Sequence, residues 1–244
     1  MDCDLVISHY KENLDWLSQY KDTKFTKVII YTKGQKNPKS PIPYIEKPLE
    51  NIGRCDHTYL YHIVKNYDDL ADVTIFTTGS SALSHKKKKL KDVIEKVFST
   101  HDSVFLGGIH KSVKNDMYDF QLDIWKATNK DNRSAAKNSV LAKANVRPFG
   151  PWYEKHFPRI RTTLVNYLGI FAISKKHVHQ HSKAYYQNLL DLFPNHSNPE
   201  VGHYFERAWL AVFHPIPAHC LYSNDMRQTR KTKKIRKTRK TRKQ

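Results

Sequence analysis

The residue types best suited to chemistry gather in one stretch, Glu200–Phe213 (EVGHYFERAWLAVF), where His203, Glu206 and Arg207 fall close together. At helical spacing these three share an edge. Val201, Tyr204, Phe205, Ala208, Trp209, Val212 and Phe213 form the apolar face of the same helix. Glu206 is therefore a carboxylate on a largely buried element, with an arginine beside it and a histidine near it. Burial and neighbouring charge are what tune an acid for general-base work, and His203 is placed to support it. The competing reading is a Glu206–Arg207 ion pair. A second candidate is Arg54, on the Asn51–Arg54 turn behind Gly53. It can grip a diphosphate in bidentate fashion, or serve a nearby helix end.

The elements that position these groups follow from periodicity. Asp4–Ser8, Lys27–Tyr31, Val73–Phe76 and Ser103–Gly107 are short apolar runs, the pattern of strands buried on both faces. A short helix carrying Leu14, Trp16, Leu17 and Tyr20 separates the first two, as in a βαβ unit. Thr32–Pro48 reads as a loop rich in Pro and Lys. After Asn51–Arg54 a helix carries Leu60, Ile63, Val64 and Tyr67, with Asp56 or Thr58 as its cap. The following strand stops at Thr77-Thr78-Gly79-Ser80. Ligands of α/β sheets sit beyond the carboxyl ends of strands, so Asn51–Arg54 and Thr77–Ser80 border a candidate site.

Leu83–Phe98 is an amphipathic helix whose Lys86–Lys89 run reads as a solvated face or, alternatively, as a phosphate-attracting lip. Lys130–Asn145 is weakly helical, and Arg147–Pro158 reads as an aromatic loop. Leu164–Ser174 is expected as one strand interrupted at Gly169, and Lys175–Phe193 as one helix. The fold class is α/β: a mostly parallel sheet flanked by helices, of GT-A or Rossmann-like kind. A single domain over 1–222 is expected, followed by a disordered basic tail over 223–244.

Composition narrows the function classes. Residues 227–244 hold eleven Lys or Arg and no acid, so a net charge of +19 falls to +8 (19 − 11) without them. Such a segment cannot fold alone and should bind nucleic acid or another polyanion with strong salt dependence. Its contacts would be Arg230, Lys231, Lys233, Lys234, Arg236, Lys237, Arg239 and Lys240. Cys3, Cys55 and Cys220 are far apart with no CxxC pair, against a disulfide framework or a zinc cluster. His177, His179 and His181 alternate around a helix and read as solvated or capping residues rather than ligands. Walker A, GxGxxG, HExxH and GxSxG motifs are absent. The N-terminus is no secretory signal and no stretch is long and apolar enough to span a bilayer, so a soluble intracellular protein is expected.

His9–Leu17, Asn51–Val64, Asp72–Gly79, Arg147–Phe157 and His203–Phe213 resemble, in order, a fungal and giant-virus family with a domain-of-unknown-function label. The block Gly-Arg-x-x-His-Thr-Tyr-Leu at 53–60 is the most distinctive piece. If viral, the protein belongs in host cytoplasm or the virion. Asn51-Ile52-Gly53 and Gly169–Val178 also resemble GT-A-type nucleotide-sugar glycosyltransferases. That likeness implies transfer of a sugar from a nucleotide donor to a hydroxyl of a glycan or protein. It implies Glu206 as the base, supported by His203, with the donor held by His9, Tyr10, Lys11, Asn51, Gly53, Arg54, His57, Thr78 and Gly79. The metal-binding Asp-x-Asp of those enzymes is replaced by Thr77-Thr78-Gly79-Ser80. Manganese or magnesium would then lack its usual ligands, and Arg54, Lys11 or His57 would stabilise the leaving diphosphate.

Overall fold

A computed structural model describes residues 1–123 and 141–223. Its strands are β1 (Cys3–His9), β2 (Lys27–Thr32), β3 (Ile45–Pro48), β4 (Val73–Thr78), β5 (Phe105–Ile109), β6 (Leu164–Val165), β7 (Phe171–Ser174) and β8 (Leu221–Ser223). Its α-helices are α1 (Arg54–Lys65), α2 (Ser84–Thr100), α3 (Val113–Asp116), α4 (Phe149–His156), α5 (Lys175–Val178), α6 (Lys183–Leu190) and α7 (Glu200–Val212). The main sheet has the order β3-β2-β1-β4-β7, and a small sheet has the order β6-β5-β8. β1 to β4 run parallel, and β7 closes the edge antiparallel to β4. The expected α/β class is what the chain adopts.

Alternation along the strands divides the core in two. Leu5, Ile7, Ile30 and Ile75 point to the face covered by Trp16, Leu17 and the Leu90, Val93 and Val97 stripe of α2. Val6, Ile29, Phe76 and Phe171 point to the other face, covered by α1, α4, α6 and α7. Because side chains alternate with period two, continuous apolar runs can satisfy helices on both faces. The second face is the more aromatic: Trp209 stacks on Phe213 and lies 5.0 Å from Phe171 between ring centroids.

Several local expectations need correction. Thr32–Pro48 ends in β3, an edge strand, where a proline lacking a donor is tolerated. Arg147–Pro158 contains helix α4, because Pro148 and Pro151 occupy its cap and first turn, where the missing N–H costs no helical bond. Leu164–Ser174 is two strands in two sheets, split by a turn with Leu168 at φ 78° and Gly169 at φ 62°. Lys175–Phe193 is split into α5 and α6, and Ser182 restarts the helix by accepting from Tyr185 N at 3.2 Å. The expected helix at Lys130–Asn145 falls largely outside the described residues. So do the tail and all eight of its candidate contacts. No helix among the described residues is long and apolar enough to cross a membrane.

Candidate functional site

The chain leaves β1 towards β2 and β3 on one side, whereas β4 feeds the elements on the other side. The carboxyl ends of β1 and β4 therefore flank a topological switch point, where open α/β sheets leave room for a ligand. Thr78 and Gly79 stand at the end of β4, and His9 and Tyr10 at the end of β1. The two loops meet closely: Trp16 Nε1 donates to Gly79 O at 2.9 Å, and a Cβ on Gly79 would lie 2.7 Å from Glu12 Oε2.

Around this point the sequence collects cations. Gly53 and Arg54 both have left-handed backbones, at φ 62° and 55°, and turn the chain into α1. The Arg54 guanidinium donates to Asn198 Oδ1 at 3.3 Å. Neither Asp56 nor Thr58 caps α1; no side chain does. The helix dipole makes this end of α1 attractive to an anion. Lys33 is buried beneath the turn and donates to the carbonyls of Ile52 and Arg54. From across the site, Lys86 donates to Thr78 Oγ1 at 3.0 Å and Ser80 Oγ at 2.8 Å. Lys89 is buried and donates to Asn166 Oδ1 at 3.0 Å and Tyr167 O at 2.5 Å. Burial pulls Lys89 down to about 7, opposed by the Glu206 carboxylate. Lys86 is also held below its ordinary value by burial, with Arg54, Glu12 and Glu206 in electrostatic reach.

The solvated-face reading of Lys86–Lys89 thus fails for two of the four. Lys87 and Lys88 are exposed, but Lys86 and Lys89 join the inward face of α2 with Leu90 and Val93. Spacings of three and four carried that signal, and grouping the lysines as a run concealed it.

Two carboxylates face these cations. Glu206, on α7, is half-buried and accepts from Leu168 N at 2.8 Å, holding the left-handed turn before β7. Asp56, on α1, is buried and accepts from Trp209 Nε1 at 2.9 Å. Burial, then the Glu206 charge, pushes Asp56 from 3.8 up to about 7. The folded chain thereby holds a proton that the unfolded chain releases near pH 3.8, so stability is lost as pH rises through that window and stays lower above 7. Asp56→Asn removes that loss while keeping an acceptor for Trp209. The variant should gain on the parent by up to roughly 4 kcal/mol between about pH 4 and pH 8. Urea unfolding at the two pH values checks it, and an equal difference at both would contradict it.

The remaining candidates divide. Tyr10 is half-buried with its ring against Gly34, and Lys11 and Asn51 are exposed at the rim. His9 is 1% exposed, with Nε2 2.9 Å from Glu12 O, so it shapes the turn from beneath and cannot reach a donor. His57 is buried between Tyr61 and Phe193, and burial together with Lys33 takes it down to about 4. It is neutral at physiological pH and cannot supply the positive charge expected of it. His203 is likewise held down, to about 3, by burial and by Arg54 and Arg207, which makes it a neutral neighbour of Glu206. Arg207 does not form the alternative ion pair; it stacks its guanidinium 3.4 Å from the Phe120 ring centroid and donates to His203 O.

The end of β4 does not fit a divalent ion. It offers hydroxyls instead of paired carboxylates, and the Lys86 ammonium is already seated on them. Two cavities of about 320 and 400 Å³ open at the opposite, amino end of β2, away from these charges. Convergence of function-bearing groups at the switch point outweighs their volume. Sequence reasoning missed Lys33 as a loop anchor and Asp56 as an acid, since their partners lie 19 to 153 residues away.

No curated protein matches the chain. Among solved structures, a CMP:2-keto-3-deoxy-manno-octonic acid synthetase complexed with CTP is similar over 91% of this chain and 89% of its own, at 12% identity and a TM-score of 0.39. Likeness at that level carries no conclusion about activity. The family model described as "Protein of unknown function (DUF3431)" matches residues 5–229, and the chain belongs to that family.

Proposed function

We propose that the protein is a glycosyltransferase-like enzyme that moves a sugar from a nucleotide-sugar donor to a hydroxyl acceptor without a divalent metal. The observation that supports this most is the inward pair Lys86 and Lys89, within reach of Glu206, with Arg54 also acting on Lys86. In this reading the donor diphosphate rests on the uncapped start of α1, Arg54 and Lys86. Glu206 takes the proton of the acceptor hydroxyl as its oxygen bonds to the anomeric carbon. The bond from that carbon to the diphosphate breaks, and the departing oxygen keeps the electron pair. Fixed cations stabilise that developing charge without reorganising, the role a metal plays elsewhere. Asp56 buffers the charge behind Glu206, and His203 supports it as a neutral contact.

A thermal-shift panel of nucleoside diphosphates and their sugars tests the donor site. A ligand at 100 times its dissociation constant should stabilise by roughly 2.7 kcal/mol. Stabilisation by one base over others is the expected result, because a tail that senses phosphate alone cannot tell bases apart. Equal or absent shifts for every nucleotide count against the reading.

The tail favours a second activity, polyanion binding through residues 227–244, with eleven cations in eighteen positions. Affinity should fall steeply with salt and collapse on deleting those residues. The two readings are compatible, since a tail can deliver an enzyme to its place.

A further inference from the structure

The sequence speaks against a zinc cluster and for a solvated or capping His177, but His177 is buried, 3% exposed. The fold brings together Asp102, after α2; His177, on α5; and Cys220, before β8. One ligand atom from each lies within 4.8 Å of the others, and all three residues are buried. β7 runs antiparallel to β4, pairing Ser174 with Val73, so this cluster sits at the amino end of β4, opposite the switch point. It plays no part in the proposed transfer.

We propose that Asp102, His177 and Cys220, with His219 completing the set, bind a divalent transition metal of the zinc class. Sulfur, nitrogen and oxygen donors suit a borderline-soft ion. His219 Nε2 already lies 3.1 Å from Asp102 Oδ2. Bonds of about 2.0–2.3 Å place tetrahedral ligands roughly 3.5 Å apart, so the Asp102, His177 and Cys220 atoms, now within 4.8 Å of one another, draw in on binding and His219, which stands outside that group, moves in to join them. His177 Nδ1 faces the cluster, 3.6 Å from Asp102 Oδ1, and the hydroxyls of Ser103 and Ser174, 2.7 and 2.9 Å from it, hold the ring in place until the ion takes that nitrogen. Ser103 N donates to Asp102 Oδ1 at 2.7 Å and holds the carboxylate.

Charge favours the same assignment. On binding, the Cys220 thiol gives its proton to solvent. One thiolate, one carboxylate and two neutral imidazoles then balance a dication, leaving a buried site with no net charge. Lys176 now fills part of that role, with Nζ 2.7 Å from Asp102 Oδ2. Its side chain is 62% exposed and can swing into solvent when the metal arrives. The ion would tie the turn before β8 to the ends of α2 and β7.

Cobalt titration of the metal-stripped full-length chain tests this. The expected result is saturation at one equivalent, with tetrahedral d–d bands and a thiolate-to-cobalt charge-transfer band. Cys220→Ala should abolish the charge-transfer band, whereas Cys55→Ser should retain it. His219→Ala changes a mostly exposed side chain, so the variant should fold, and it should weaken cobalt binding at least about tenfold. If Cys220→Ala fails to fold, the His219→Ala affinity decides. No thiolate band in the folded parent, or cobalt affinity unchanged in His219→Ala, would overturn the proposal.

Discussion

Replacing Glu206 with glutamine is expected to cut sugar transfer by roughly 100- to 10,000-fold, the usual worth of a positioned general base. The amide keeps an oxygen to accept from Leu168 N, the bond that holds the Tyr167–Gly169 turn. It cannot take a proton from the acceptor. The variant should therefore fold and bind nucleotide as the parent does, with the loss confined to turnover. Glu206→Ala is a poorer probe, because it also releases a turn whose Leu168 has φ 78°. Turnover in Glu206→Gln within about threefold of the parent would remove Glu206 from the mechanism.

The largest loss of stability is expected from Glu200→Ala. Glu200 is the first residue of α7 and is fully buried, yet it is charged. Its Oε1 accepts from Leu122 N at 2.7 Å and from Tyr204 Oη at 3.0 Å. Its Oε2 accepts from Ala144 N at 3.0 Å and lies 2.7 Å from Arg147 Nε. One carboxylate thus clamps two separate stretches of chain, at Leu122 and at 144–147, to the start of α7. Removing one partner of a buried ion pair strands the other charge and costs about 3–5 kcal/mol. The Arg147 side chain is 20% exposed and water can relieve part of its loss, so the lower end of that range is expected. The donors left behind at Leu122, Ala144 and Tyr204 add to it. Urea unfolding measures the change, and a loss under about 1 kcal/mol would show that the carboxylate is not the clamp described.

The sheet was legible because its strands are continuous apolar runs and its helices carry clear stripes. β1, β2, β4 and β5 lie where those runs predict, as do α2 and α7. Errors came where a residue's role depends on a distant partner. Asp56 reads as a cap by position, yet its partner is Trp209, across the core. Gly169 reads as a bulge or a close backbone approach within one strand; the approach is there, a Cβ on it lying 2.9 Å from Cys55 Sγ, but the chain also passes at that point from one sheet to the other. Pro148 and Pro151 read as loop residues, although both suit the start of a helix. At the candidate site, Arg54 and Glu206 were visible from type and spacing. Lys86 and Lys89 were visible only to a reading of helical phase, and Lys33 to none, because its partners are backbone carbonyls.

The most direct test of metal-free donor binding is calorimetric titration of the full chain with the nucleoside diphosphate selected by the panel. It is run at raised ionic strength to suppress the tail, once with chelator and once with manganese. The same saturable affinity is expected in both, and Lys86→Met should weaken it about tenfold or more, a change of roughly 1.4 kcal/mol. That variant keeps the apolar stem and the tail while losing the ammonium. No binding, binding that requires manganese, or an affinity indifferent to Lys86→Met would contradict the account.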